Sequence, residues 1–388
     1  MMKDTEAYCS LVARSFGDGA ARSVPLGDET NEVIGALNTV DDYYKEFRHN
    51  FTARLERLAS VYTPENPSTA PVLRAVNDLA GSRNWEGAYA ELCAYDYFHA
   101  QKHWINPTVE LDKNIDGTRT YSRELGKTGP ANLDLYFPRF DVFADVKSLR
   151  DKVGDILSGI YRQAFPSPDR RPDILAQRRG DMHYQELASA RNDVVKELQA
   201  ATAADQRPTF VKSAVVPDLS FILKWAPGTL IARSAYSAYR HAEEGHQLVF
   251  GYADKLVRDS PCFIVLVNFP WFNQTTTDFR DANAIFYRSF ARRVFCQYRH
   301  GDRPVTDILP KFGGPESVYD LSRKISALLF IEDRSIVEVS ETTEFPNLRG
   351  FLYANPNADN PLSRNPYAVD YFTQLQSTHV DTFEHDNY

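Results

Sequence analysis

The chain reads as a mixed α/β protein in which helices precede, interrupt and follow a sheet. Three stretches predict this. Residues 39–62, TVDDYYKEFRHNFTARLERLASVY, place apolar side chains at helical spacing among charges. Residues 131–149, ANLDLYFPRFDVFADVKSL, hold two alternating segments joined by a Pro-Arg turn, the period of a β-hairpin. Residues 262–269, CFIVLVNF, are almost wholly apolar, as in a strand buried on both faces.

Taken in order, residues 1–80 are expected to be mostly helical, with PENPSTAP interrupting the pattern. A second helix covers 72–101, broken near Gly81-Ser82. Its latter part, NWEGAYAELCAYDYFHAQ, sets Trp85, Tyr89, Leu92 and Asp96 near one face. A polar loop, KNIDGTRTYSRELGKTGP, leads into the hairpin. Residues 150–215 are expected to form a polar, helix-rich insertion, with PSPDRRPD a loop and MHYQELASARNDVVKELQAATAA a long helix. DLSFILKW (218–225) reads as a strand, HQLVFGYADKLVRD as a short amphipathic helix, NAIFYRSFARRVFCQYRH as a basic helix and KISALLFIED as a further strand. The domain expectation is a helical region over 1–80, an α/β domain over 81–340 carrying the insertion, and an irregular C-terminal segment over 341–388.

Bulk properties narrow the function classes. A hydrophobic fraction of 43% suffices for a substantial core. The net charge of −8 excludes a general polyanion binder, so contact with nucleic acid has to be a local patch. Cys9, Cys93, Cys262 and Cys296 are far apart and fit neither a zinc site nor a disulfide framework, which predicts a reducing, cytoplasmic setting. The first residues lack the basic start and apolar run of a signal peptide. No run approaches the ~18 apolar residues of a membrane span.

The hairpin carries charges where a core strand should be apolar. In DVFADVKS, Phe143, Asp145 and Lys147 share a face. In NLDLYF, Asn132, Asp134 and Tyr136 share one. Pairing of the two segments brings Asp134, Asp145 and Lys147 together. Charges in a core cost several kcal/mol unless paired or bound to a metal. Two adjacent carboxylates raise one another's pKa unless a cation keeps both ionised. Mg²⁺, or Mn²⁺ in its place, suits a few carboxylate oxygens plus water and phosphate. A lysine two residues from a metal-binding aspartate lies beside the bound water and the phosphate.

Asp134 followed by Asp145-Val146-Lys147, after an acidic helix, resembles the PD-(D/E)XK nuclease superfamily. The resemblance covers residues 85–270. It implies a restriction-endonuclease-like mixed sheet flanked by helices, with Glu91 as the helical acid and Glu86, about 140° away around the helix, as the fallback. Leu133 stands where the motif has proline. Gln247 and Tyr252 in HQLVFGY resemble the glutamine-tyrosine helix of RecB-type nucleases, with one extra residue between them. FLYANPNADNPL is similar to the tail of bacterial members. The resemblance implies metal-dependent cleavage of nucleic acid, DNA ahead of RNA, in restriction or phage defence. Asp134 and Asp145 would bind the metal and Lys147 would act on water. No membrane is implied; a homodimer or a partner protein is left open. The runner-up is a nucleic-acid-binding or scaffolding protein on the same fold without turnover. A third reading is a structural ion-pair cluster.

Arg288 and Arg292, i and i+4 on the basic helix, are the expected phosphate contacts. Arg170, Arg171, Arg178 and Arg179 form a second basic cluster. His99 and His103 share a helical spacing without a third ligand. Gly126-Lys127-Thr128 lacks the leading glycine of a phosphate-binding loop.

Overall fold

A computed structural model describes residues 5–20, 31–40, 42–81, 85–100, 108–115, 132–149, 152–166, 172–178, 184–201, 209–225, 238–253, 255–257, 259–269, 282–301, 303–308, 317–336, 347–375 and 378–383. His103, the Gly126-Lys127-Thr128 loop, Arg170, Arg171, Arg179 and the side chain of Arg178 lie outside them.

The N-terminal helices are α1 (Glu6–Phe16), α2 (Glu32–Asn38), α3 (Lys45–Val61), α4 (Thr69–Ala80) and α5 (Trp85–Ala100). Strands β1 (Glu110–Asn114), β2 (Asn132–Phe137) and β3 (Val142–Ser148) follow. Next come α6 (Lys152–Ala164), β4 (Asp173–Arg178), α7 (Tyr184–Ala200), β5 (Thr209–Lys212), β6 (Leu219–Lys224) and α8 (Ala238–Gly245). The chain then runs through α9 (Phe250–Ala253), β7 (Cys262–Asn268), α10 (Ala282–Cys296), α11 (Val318–Arg323), β8 (Ala327–Asp333), β9 (Leu348–Ala354), α12 (Pro366–Thr373) and β10 (Thr378–Asp381).

Two compact units result, residues 1–149 with 247–388, and residues 150–246. The first is built on a seven-stranded mixed sheet of order β1-β2-β3-β7-β8-β9-β10. β3, β7 and β8 run parallel, and β1-β2-β3 and β8-β9 are antiparallel. Alternation divides the sheet's faces. Ala144, Val146, Phe263, Val265, Val267, Leu329 and Ile331 join one core with Tyr89, Leu92 and Phe98 of α5. On the opposite face Phe330 packs against Tyr287 and Phe290 of α10, with ring centroids 4.6 and 5.5 Å apart. CFIVLVNF is thus buried along its whole length, as a central parallel strand should be.

The N-terminal helices belong to this unit rather than forming a region of their own. Phe47 and Phe51 of α3 stack on each other and pack against Tyr89 of α5. Below them Arg54, 1% exposed, donates to Asp96 (3.2 Å), to Tyr89 (2.8 Å) and to Asp333 (3.0 Å) at the end of β8. Arg57 closes a two-pronged pair on Asp96, both bonds 2.7 Å. A charge this deep is tolerable because every prong has an acceptor.

The C-terminal segment differs from the expected irregular tail. LRGFLYA pairs along β8 as β9, and β10 adds a parallel edge. Phe372 of α12 packs against Phe98, Phe137 and Phe263. Pro and Asn stand on either side of β9 and not within it, so composition averaged over the segment hid two strands. The insertion differs too. It runs to residue 246 and contains a three-stranded antiparallel sheet, β4-β6-β5. DLSFILKW is the centre of that sheet and not a strand of the larger one. Leu219, Phe221 and Leu223 bury one face against Leu187, Val194 and Leu198 of α7. Asp173–Arg178 was hidden behind a Pro- and Arg-rich approach, and its apolar residues meet partners only once β6 lies beside them.

Candidate active site

The hairpin folds as its alternation predicts, and its turn is locked locally. Asp141 adopts a left-handed backbone (φ 52°), which aspartate tolerates better than most residues. Its carboxylate accepts from Tyr136 Oη at 3.1 Å and Ser260 Oγ at 2.6 Å. From this end the β2–β3 ladder runs through Phe137–Val142, Tyr136–Phe143 and Leu135–Ala144.

There the two strands part. β2 stays paired to β1, with Leu133 opposite Lys113. The Val146 N–H instead donates to the side chain of Asp134, 2.6 Å from Oδ2. Asp134 therefore takes the place of a ladder carbonyl and brings its carboxylate to the mouth of the hairpin. Lys147 Nζ is 3.6 Å from the same oxygen.

Asp145 lies on β3 and is fully buried. Lys147 Nζ is 2.7 Å from its Oδ2, and Lys255 Nζ contacts Oδ1. Burial alone would push this carboxyl up, but Lys147 and Lys255 together hold it below the usual carboxylate range. Asp134 behaves oppositely. Burial and the neighbouring Asp145 charge raise it to about 7, despite Lys147 and Lys255. Lys147 is kept charged: burial disfavours the ammonium, and Asp145 and Asp134 more than reverse that. It also donates to Val146 O at 2.7 Å and stands 5.5 Å from the Tyr252 ring centroid.

Glu91 is half-buried on α5 and accepts weakly from Tyr95 Oη at 3.4 Å. Burial raises its carboxyl, while Arg74 and Lys147 pull it down. It is also among the charges acting on Asp134. Glu91 thus stands in electrostatic reach of the hairpin cluster. Glu86 is buried near the start of the same helix.

Comparison of the chain with family models, curated proteins and solved structures finds no match.

The expected nucleic-acid contacts stand differently. Arg288 donates to Asp381 of β10 at 2.7 Å and stacks on Phe383, 5.2 Å from its centroid, so this arginine ties α10 to the last strand. Arg292, one turn on, is exposed. Gln247 is half-buried in a 3₁₀ turn at His246–Val249. The residues of that stretch seen at the charged cluster are Tyr252 and Lys255. Lys255 escaped sequence reading because nothing local marks it; on an amphipathic segment a lysine reads as the solvent side. His99, which the sequence offered as half of a metal pair, has its Nε2 engaged by Tyr62 Oη.

Among the described residues no group of three or more His, Cys, Asp or Glu side chains gathers to hold a metal. The donors present still suit Mg²⁺, which needs only one or two carboxylates because it keeps waters and takes phosphate oxygens. Asp134 and Asp145 are the carboxylates that would hold it. The raised Asp134 carboxyl shows negative charge crowded at this place, and the ammoniums on Asp145 are cations that already answer it.

Proposed function

We propose that this cluster hydrolyses phosphodiester bonds with a divalent metal, Mg²⁺ or Mn²⁺, and that its substrate is DNA ahead of RNA. The observation that carries the reading is the parting of the hairpin at Asp134. A carboxylate that replaces a ladder carbonyl, 3.6 Å from a lysine and beside a second buried carboxylate, is a costly way to close a sheet. It is economical as a site for phosphate chemistry. An acidic helix on one face and a β1-β2-β3 meander leading into parallel strands support a restriction-endonuclease-like core.

In this reading Asp134 and Asp145 hold the cation and Glu91 adds negative charge from α5. A bound divalent cation would acidify its water and offset the charge of the phosphate. Lys147 orients the attacking water and stabilises charge developing on the phosphate oxygens. Arg292 contributes a phosphate contact from α10. A role in restriction or phage defence accords with the family resemblance.

The test is incubation of the purified chain with plasmid and phage DNA, and with RNA, in Mg²⁺, Mn²⁺ or EDTA. Cleavage in either metal and none in EDTA is expected; no cleavage under any condition rejects the proposal.

A second reading, a purely structural ion cluster, draws support from the two lysines that neutralise Asp145. It predicts that divalent cations leave the melting temperature unchanged. The hydrolytic reading predicts a rise, because a cation bound only by the native state stabilises it.

A further inference from the structure

Lys255 is a charge that the hairpin motif does not include. Asp145 is fully buried, yet it carries an ammonium on each oxygen. One carboxylate needs one counter-charge. A second ammonium beside the first is repelled by it, in surroundings that screen poorly.

The two lysines are not held alike. Lys147 projects from β3 and has further acceptors in Val146 O at 2.7 Å and Asp134 Oδ2 at 3.6 Å. Lys255 projects from the turn after α9, and its other bond is a long one, 3.3 Å, to the carbonyl of Asn132 at the start of β2. Both side chains are 24% exposed, so either head has a way toward solvent. Lys255 has the fewer ties.

Building on the hydrolytic reading above, we infer that Lys255 is a second working lysine of this site. It holds Asp145 Oδ1 while the site is free of divalent cation, yields that oxygen when the cation binds, and then contacts the phosphate of the nucleic acid. The exchange follows from charge. A dication on Asp145 repels an ammonium from the same oxygen, and an arriving phosphate is the nearest new anion. A lysine suits such a move, being a point charge on a flexible stem.

The experiment uses the full chain and two probes. Mn²⁺ alone is titrated by calorimetry and by melting temperature. Lys255→Met should take up Mn²⁺ at a roughly tenfold lower concentration than wild type, since no ammonium has to be displaced. A labelled DNA duplex is then titrated by fluorescence anisotropy in Ca²⁺ and in EDTA. Lys255→Met should bind it several-fold more weakly in Ca²⁺ and equally in EDTA. Should Lys255→Met fail to fold, Lys255→Gln, with a polar head for Asp145, carries the same expectations. Unchanged or weaker Mn²⁺ uptake in the variant overturns the inference, as does a loss of duplex binding that is the same in Ca²⁺ and EDTA. If the Mn²⁺ result is as expected but wild type cuts neither DNA nor RNA, the hydrolytic reading falls and the cation exchange at Lys255 stands.

Discussion

Two aspartates a strand apart face opposite electrostatic fates, and this sets what their removal should do. Asp145 is balanced by two lysines, so Asp145→Asn strands both. The variant should lose about 1–3 kcal/mol in metal-free buffer, less than a fully buried pair would lose because both lysines are partly exposed. Asp134 is held protonated to about pH 7, against 3.8 for a free aspartate. Between those values the native state binds a proton that the unfolded chain has released. Stability should therefore fall as pH rises from about 4 to 7, by up to about 4 kcal/mol. Asp134→Asn should flatten that slope in denaturant titrations at stepped pH; an unaltered slope would place the titration elsewhere. The proposed hydrolysis rests on Lys147. Lys147→Ala should abolish cleavage in Mg²⁺ while the circular-dichroism spectrum stays near wild type and Mn²⁺ uptake is not weakened, because Lys255 still neutralises Asp145 in the metal-free protein. Residual cleavage above about a hundredth of wild type would deny this lysine its role.

At the scale of elements, the site depends on how α5 is clamped to the sheet. α5 presents Glu91 to the hairpin and, a turn on, Asp96 to Arg54 and Arg57. Arg54 joins α3, α5 and the end of β8 through Asp96, Tyr89 and Asp333. Arg54→Met should cost about 3–5 kcal/mol, since it leaves Asp333 and part of Asp96 buried without their cation. A thermal melt within about 1 °C of wild type would show the network to be dispensable. The helix periods of α3 and α5 and the hairpin alternation were all legible locally. That Arg54 is a core residue was not: an arginine at helical spacing reads as solvated until two carboxylates from distant segments close on it.

For the whole molecule, a net charge of −8 means that any affinity for nucleic acid has to come from particular side chains. The sequence paired Arg288 with Arg292 as phosphate contacts, and the fold separates their roles. Arg288 is engaged by Asp381 and Phe383, so its loss should loosen the β10 edge. Arg292→Ala should reduce the salt slope of duplex binding by about 0.9. A slope equal to wild type would return Arg292 to the solvated surface. No described helix is long and apolar enough to cross a membrane.

The sequence by itself determined the mixed α/β class, the N-terminal helices, the hairpin with three charges on its strands and the buried strand at 262–269. The helices and the hairpin are written in a period near four or of two, and the buried strand in an unbroken apolar run, all between neighbours in the chain. Tertiary structure decided the rest. It placed DLSFILKW in a separate sheet, and made strands of a segment whose composition reads as loop. It turned the β2–β3 ladder aside at Asp134, and it brought Lys255 from a hundred residues downstream onto Asp145. Strand partners and counter-charges that come from distant segments leave no local period, because what selects them is the pairing and charge balance of the folded chain.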